Sequence, residues 1–299
     1  MLSPVSRRQF LGAAAAVSTA TLLNVPRRTL AAADSTLKIG LQMYSLRAYP
    51  VDVALKHAHD LGFEVIEMYP VQFSPFAPKE PAKKGAGKKA ADAKQTEASD
   101  ESIAEMLKKF AALNLKCLGH GVNRFTADHD ANKLIFQFAK KAGIRNLTAD
   151  PSPDSFDSLD KLVAEYDVRI AIHNHGPSHR YNKVTDVLEA IKGHDPRIGA
   201  CADLGHYIRS GEDPVEVIRS LKGRLYGVHL KDFAEKQEKT KGVILGKGHL
   251  DVPGVMRALK QVDFPADGSL SLEYEENKDD PLADIRECLS IAQAAVQTA

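Results

Sequence analysis

Eight short runs of apolar and β-branched residues punctuate the chain, at 37–44, 63–69, 115–122, 145–149, 168–174, 197–203, 224–231 and 269–275. Runs of roughly four to eight such residues have the length and composition of buried strands. The stretches between them keep another rhythm. Within 103–113, Ile103, Met106, Leu107 and Phe110 recur at three- and four-residue spacing, which gathers them on one helix face. Similar spacing predicts helices over 53–61, 133–141, 184–191, 214–221, 255–261 and 282–295. Gly62, Gly143 and Gly193 follow three of these, where a left-handed residue closes a helix.

Strand and helix therefore alternate, as in a parallel α/β protein. An open doubly wound sheet carries a glycine-rich turn after its first strand, but here that turn reads Tyr44-Ser45-Leu46-Arg47. Eight units in this length instead match a single closed (β/α)8 barrel of parallel strands, typically ~250 residues. One stretch fits neither rhythm: 77–98 holds six lysines and three acidic residues, with no Val, Ile, Leu or Phe. It is expected to be a solvated insertion in the loop after the second strand.

Ahead of the first strand, Ser6-Arg7-Arg8-Gln9-Phe10-Leu11-Gly12 precedes an apolar run at 13–25, and Ala31-Ala32-Ala33 follows. This is the layout of a twin-arginine signal with a cleavage site, so residues 1–33 are expected to direct export to the periplasm. The run is short for a membrane span and is followed by Arg27 and Arg28, so no stable membrane insertion is expected after cleavage. The full chain carries 40 Lys+Arg against 39 Asp+Glu, and loss of the four signal arginines leaves 34–299 at a net −3. Nothing in that balance favours a nucleic-acid partner. Cys117, Cys201 and Cys288 form no CxxC pair, and two lie in apolar strand runs, which predicts buried free thiols.

A parallel barrel aims the C-terminal end of every strand at one face, so polar residues that end different strands converge there. Five of the 11 histidines fall at such ends or just beyond: His120, His173, His175, His206 and His229. The fifth run ends Ile172-His173-Asn174-His175, and residues two apart leave a strand on the same side. The sixth ends Asp203-Leu204-Gly205-His206, where Gly205 is expected to let the chain fold back and set His206 above Asp203. The seventh supplies His229, Lys231 and Asp232, and the eighth Glu273 and Glu275. Carboxylates crowded at a partly buried mouth cost on the order of several kcal/mol per uncompensated ion, more than Lys231 alone offsets. One divalent metal ion would offset them, and imidazole with carboxylate oxygen suits Mn, Zn, Co, Mg or Fe.

In this order the strings resemble the sugar phosphate isomerase/epimerase family of the xylose isomerase-like TIM barrel superfamily. They are Gly40-Leu41-Gln42-Met43-Tyr44-Ser45-Leu46-Arg47, Ala171-Ile172-His173-Asn174-His175, Asp203-Leu204-Gly205-His206, His229-Leu230-Lys231-Asp232, Gly246-Lys247-Gly248-His249-Leu250-Asp251 and Leu272-Glu273. The resemblance spans the chain from Leu37 onward. It implies a metal held by His173, Asp203, His229 and Glu273, with His206 on substrate hydroxyls. Well-studied epimerases place a glutamate where this chain has His173 and use it with the strand-eight glutamate as paired bases, so that pairing does not carry over directly. A metal chelating a carbonyl and its neighbouring hydroxyl stabilises the enediolate left by proton loss. Glu273 is expected to take the proton, His175, His206 or Glu67 to return it, and Lys231 to steady the oxyanion. A salt bridge, mutual or at the rim, is the alternative for Glu67 and Lys231. His175, His120, Gln42 and Tyr44 are expected to contact substrate.

The expected activity is thus an exported, metal-dependent isomerase or epimerase acting on a sugar or sugar derivative. Expulsion of a leaving group from the same enediolate would make a lyase or dehydratase of an oxidised sugar, and loss of the reaction would leave a sugar-binding barrel. The apurinic-site endonucleases of the superfamily use an Asp-x-His pair on strand seven, where this chain has His229-Leu230-Lys231-Asp232, so nuclease activity is not expected. Glu273-Tyr274-Glu275-Glu276 has the wrong charge for a phosphate, which favours an unphosphorylated sugar. Relatives often self-associate, so a homo-oligomer stays open.

Overall fold

The computed structural model describes residues 37–76 and 96–299. The expected signal at 1–33 and most of the lysine-rich insertion, 77–95, lie outside the described residues. The insertion's returning end is held: Glu97 bridges Phe76, Lys141 lies 2.9 Å from Glu97, and Ala98 is buried. These last residues are therefore anchored rather than solvated.

Each apolar run contains one strand of a closed parallel barrel. The strands are β1 (Gly40–Gln42), β2 (Val65–Met68), β3 (Lys116–Phe125), β4 (Asn146–Pro151), β5 (Arg169–His173), β6 (Ile198–Asp203), β7 (Leu225–Leu230) and, last in the ring, β10 (Ser269–Leu272). The ring runs β1-β10-β7-β6-β5-β4-β3-β2. Two short strands, β8 (Asp232–Phe233) and β9 (Gly242–Val243), form an antiparallel hairpin after β7. Register aligns the C-terminal ends, pairing Gln42 with Glu67, Asp203 with His229, and Ser271 with His229. Polar residues ending different strands are thereby brought to one level.

Helices α1 (Val51–Asp60), α2 (Asp100–Ala112), α3 (His129–Ala142), α4 (Phe156–Tyr166), α5 (Val184–Ala190), α6 (Leu204–Arg209), α7 (Pro214–Ser220), α8 (Val252–Gln261) and α9 (Leu282–Thr298) connect the strands. In α3 the Asp128 carboxylate accepts from Ala131 N at 3.0 Å, and Ile135, Phe136, Phe138 and Ala139 are buried. Gly143 then stops the helix at φ 68°. The predicted helices do not include α4 or α6. The first stops on Asp167 in a left-handed conformation, without a glycine, and the second is six residues long. Among the described residues no helix is long and apolar enough to cross a membrane. All three cysteines are free and buried.

Candidate metal centre

Asp203 ends β6 and begins α6, and its two oxygens divide the work. Oδ1 accepts from His206 N at 2.8 Å, capping the helix. Oδ2 is left facing the barrel mouth. The backbone beneath is pinned by Asn174, whose side chain accepts from Asp203 N at 2.7 Å and donates to Asp203 O at 3.0 Å. Gly205 works differently from the fold-back expected of it. Its φ is not left-handed, and a Cβ there would lie 2.7 Å from Lys231 Cγ and 2.9 Å from Phe233 Cε2, so the glycine permits close packing of α6 on the strand-seven end.

His229 is oriented from below. Glu67 is fully buried inside the barrel, where it accepts from Thr148 Oγ1 at 2.6 Å and Ser271 Oγ at 2.7 Å and contacts His229 Nε2 at 3.1 Å. A carboxylate opposite Nε2 requires a proton on that nitrogen and turns Nδ1 toward the mouth. Burial acts to raise the Glu67 carboxyl, and His229 with the two hydroxyls more than offsets it, so it is held below its ordinary value. Glu67 is fully buried and does not line the cavity above the cluster, which removes it as a direct proton donor to substrate. Nor does it pair with Lys231.

Above that layer, one ligand atom each from His173, Asp203, His229 and Glu273 lies within 4.8 Å of the others, all buried. His229 Nδ1 is 3.1 Å from His173 Nε2 and 2.9 Å from Glu273 Oε2. Asp203 Oδ2 and Glu273 Oε2 are buried without an aligned hydrogen-bond donor. Lys231 Nζ supplies charge instead, at 3.0 Å from Asp203, 2.9 Å from Glu273 and 2.7 Å from Glu275. Burial acts to lower the Lys231 ammonium, but these three carboxylates hold it well above its ordinary value. Such a set of acceptors, drawn together with too few protons between them, fits a divalent cation: two imidazoles and two carboxylates from four strands.

The cluster floors a cavity of about 480 Å³ that also meets Gln42, Tyr44, His175 and His206. Gln42 is itself buried, its Oε1 accepting from Tyr44 N at 3.2 Å, while Tyr44 stands at the rim. His206 lies 3.3 Å from Arg209 Nη1 through Nδ1, which leaves Nε2 as the donor, and its ring stacks on Phe233. Burial pushes both His175 and His206 down to about 3, so both rings are neutral. His120 is a correction. Gly119 and Gly121 on either side of it turn inward, toward Glu67 and Thr148, so its ring turns outward against Phe73 and Phe138, with Nε2 2.7 Å from Phe73 O. It cannot contact substrate. Sequence reasoning missed Thr148 and Ser271, whose signal was a hydroxyl inside an apolar strand, and Arg209, which lay in an unrecognised helix.

Asp232, also at the end of strand seven, has another task. Oδ1 accepts from the backbone N–H groups of Phe233, His249 and Leu250, and Oδ2 from those of Gly246 and Gly248, at 2.8–3.0 Å. It ties the 246–250 loop to the barrel.

The sequence profile of the xylose isomerase-like TIM barrel family matches residues 55–292. The chain belongs to this family. Among curated relatives, an inosose dehydratase of Clostridium botulinum is 28% identical over 137 residues, 40% of this chain and 45% of that protein. The chain thus matches under half the length of that relative. A solved structure of an uncharacterised protein from Parabacteroides distasonis is 28% identical, with a TM-score of 0.62 over 86% of this chain and 98% of that one. The barrel of the IOLI protein, solved with a zinc atom bound, superposes with a TM-score of 0.65 at 16% identity, over 88% of this chain and 99% of that one.

Proposed function

We propose that the chain catalyses proton transfer next to a carbonyl of an unphosphorylated sugar or sugar derivative, with one divalent metal held by His173, Asp203, His229 and Glu273. The convergence of these four ligand atoms on a floor with two undersatisfied carboxylate oxygens carries the reading. When bound, the metal supplies Lewis-acid stabilisation of the charge that develops on the carbonyl oxygen. Glu273 faces the cavity and accepts the proton from the carbon beside the carbonyl. Its carboxyl is raised by burial but held well below its ordinary value overall by Lys231 and His229, which makes it a weak base in the resting site. Lys231 relieves this by turning its ammonium to the substrate oxyanion, which frees Glu273 as charge appears. His206 donates from Nε2 to a substrate hydroxyl, and neutral His175 faces the same cavity as a second hydrogen-bonding ring.

Return of the proton to carbon makes an isomerase or epimerase. Elimination of a leaving group from the neighbouring carbon makes a lyase, a second reading favoured by the dehydratase relative and by His173 standing where a second carboxylate base would be. Proton NMR of keto-sugars turned over in deuterated water tests both. Deuterium retained at a stereocentre supports the first, an unsaturated product the second, and neither exchange nor product with metal bound refutes carbonyl-adjacent deprotonation. Export through residues 1–33 to the periplasm is part of the proposal. Fractionation of cells making an Arg7→Lys, Arg8→Lys variant should find the protein retained in the cytoplasm.

A further inference from the structure

We infer that the substrate is a glycoside of an oxidised sugar, whose keto ring sits on the metal floor and whose apolar or aromatic aglycone rests on the wall formed by Tyr44, Tyr69 and Val71. This rests on the sugar reading above and extends it to the substrate class. A hexose has about a dozen heavy atoms and displaces about 200 Å³, taking roughly 30 Å³ for each of six or seven waters. The cavity holds about 480 Å³, so more than half its volume lies beyond one ring.

The two ends of that volume differ in chemistry. At the floor, His173, His206, His229, Lys231 and Glu273 offer donors, acceptors and charge. The side built by the first three strands offers Tyr44, Tyr69, Pro70, Val71 and Val122, with Gln42 and Glu275 beside Tyr44. Among the described residues three large hydrophobic side chains are exposed, Tyr44, Val53 and Val71, and two of them border this one cavity. Val71 is 84% exposed, yet its backbone is not loose: Gln72 N and Phe73 N both bond to Tyr69 O, and Phe73 is buried against Phe110 and Phe138. A valine held on an anchored turn over a polar pit stabilises nothing in the fold.

Tyr44 is also prepared. Its ring meets Tyr69 edge-on, centroids 5.5 Å apart at 87°, and the Arg47 guanidinium lies 4.6 Å from its centroid. Arg47 is fixed in turn by Tyr44 O at 3.1 Å and Glu275 O at 2.8 Å. A ring clamped before ligand arrives loses little entropy on stacking, which is the advantage of a rigid aromatic platform. A second sugar unit would demand several hydrogen bonds from this wall, where the hydroxyls of Tyr44 and Tyr69 can make some but Pro70, Val71 and Val122 make none.

Isothermal titration of the purified protein in Mn²⁺ with methyl, 4-nitrophenyl and glucosyl glycosides of ring-oxidised (keto) D-glucose and D-galactose, in both anomers, and with the free keto-sugars, tests the inference. At least one 4-nitrophenyl glycoside should bind ten times more tightly than its methyl counterpart. Tyr44→Ala should erase that gain, and Val71→Ser, at an exposed position outside the metal centre, should reduce it severalfold with methyl-glycoside affinity unchanged. Equal affinity for methyl and nitrophenyl ligands, or tighter binding of the glucosyl ligands, overturns the inference and leaves the sugar reading standing. Binding of the free keto-sugars without binding of any glycoside overturns the inference alone, and no binding of either overturns the sugar reading with it.

Discussion

Replacing Glu67 by glutamine exchanges one oxygen for an amide nitrogen at a point where three donors converge. Glu67 accepts from Thr148, Ser271 and His229, and all three contacts are closed to water. A glutamine has one acceptor atom and brings two donors, so at least one buried donor loses its partner. Leaving such a group unpaired costs about 1–3 kcal/mol. If the amide faces His229, the imidazole can satisfy it by moving its proton to Nδ1, which removes the lone pair directed at the cluster. Loss of an outer partner of a ligating histidine typically lowers metal affinity by about 10–100-fold, or ~1.4–2.7 kcal/mol. Competition with a chromophoric chelator for Zn²⁺ or Mn²⁺ measures this directly, without any substrate. Thermal unfolding of the metal-free variant measures the packing cost separately. Metal affinity within twofold of the parent, at an unchanged fold, would refute the claim that Glu67 sets the His229 tautomer.

Lys231→Met removes the cation shared by Asp203, Glu273 and Glu275; breaking buried pairs costs about 3–5 kcal/mol, so the metal-free variant should melt well below the parent while added metal recovers most of the loss, and an equal metal-induced shift in both proteins counts against the arrangement. His120 is pushed down to about 4 by burial, so the stability it contributes is fully present above its ordinary pKa near 6.5 and is lost as pH falls through that value toward 4. That loss amounts to ~3 kcal/mol at about 1.4 kcal/mol per pH unit, and urea unfolding of His120→Gln should show a flatter stability profile over this window than the parent, whereas an identical slope contradicts it. In Gly199→Ala the new Cβ would meet Arg224 O at 2.1 Å, so stability should drop by about 1–3 kcal/mol with metal affinity unchanged, since Gly199 lies four residues before Asp203 in β6; a variant as stable as the parent shows that the strand yields.

The barrel was readable because its strands are apolar runs of the right length and its helices carry their apolar residues on one face. The mouth was readable because a parallel sheet turns sequence-distant strand ends into neighbours. Depth and facing were harder. Glu67 and His120 both end their strand runs, yet one points into a closed layer beneath the site and the other away from the barrel. Alternation contained part of the answer: Gly119 and Gly121 pack inward, where a side chain would strike Ser269, Glu67 or Thr148, so the residue between them must face the helices. Fixing that parity needs one inward residue to be known, and glycines crowded by a neighbouring strand are not recognisable from sequence. The α4 segment does carry helical spacing, with Phe156, Leu159, Leu162 and Val163 buried on one face, but it offers no second signal at its end. Its stop at Asp167 uses a left-handed aspartate, which leaves no glycine to read.

Four buried carboxylates near the mouth separate structural from chemical roles by a count of donors. Asp232 receives five backbone N–H groups and has no capacity left for a cation or a proton. Glu67 receives two hydroxyls and an imidazole, so both its oxygens already have partners. Asp203 spends one oxygen on the α6 cap and keeps the other, and Glu273 keeps Oε2. A buried acceptor without an aligned donor is costly, so its persistence at two adjacent strand ends needs a compensating partner. Lys231 compensates electrostatically in the metal-free protein, but its single charge faces Asp203, Glu273 and Glu275 at once. The remaining deficit lies beside two imidazoles that can add neutral donor atoms. Of the four acids, Asp203 and Glu273 alone combine spare lone pairs with histidine neighbours, and there the barrel's chemistry is concentrated.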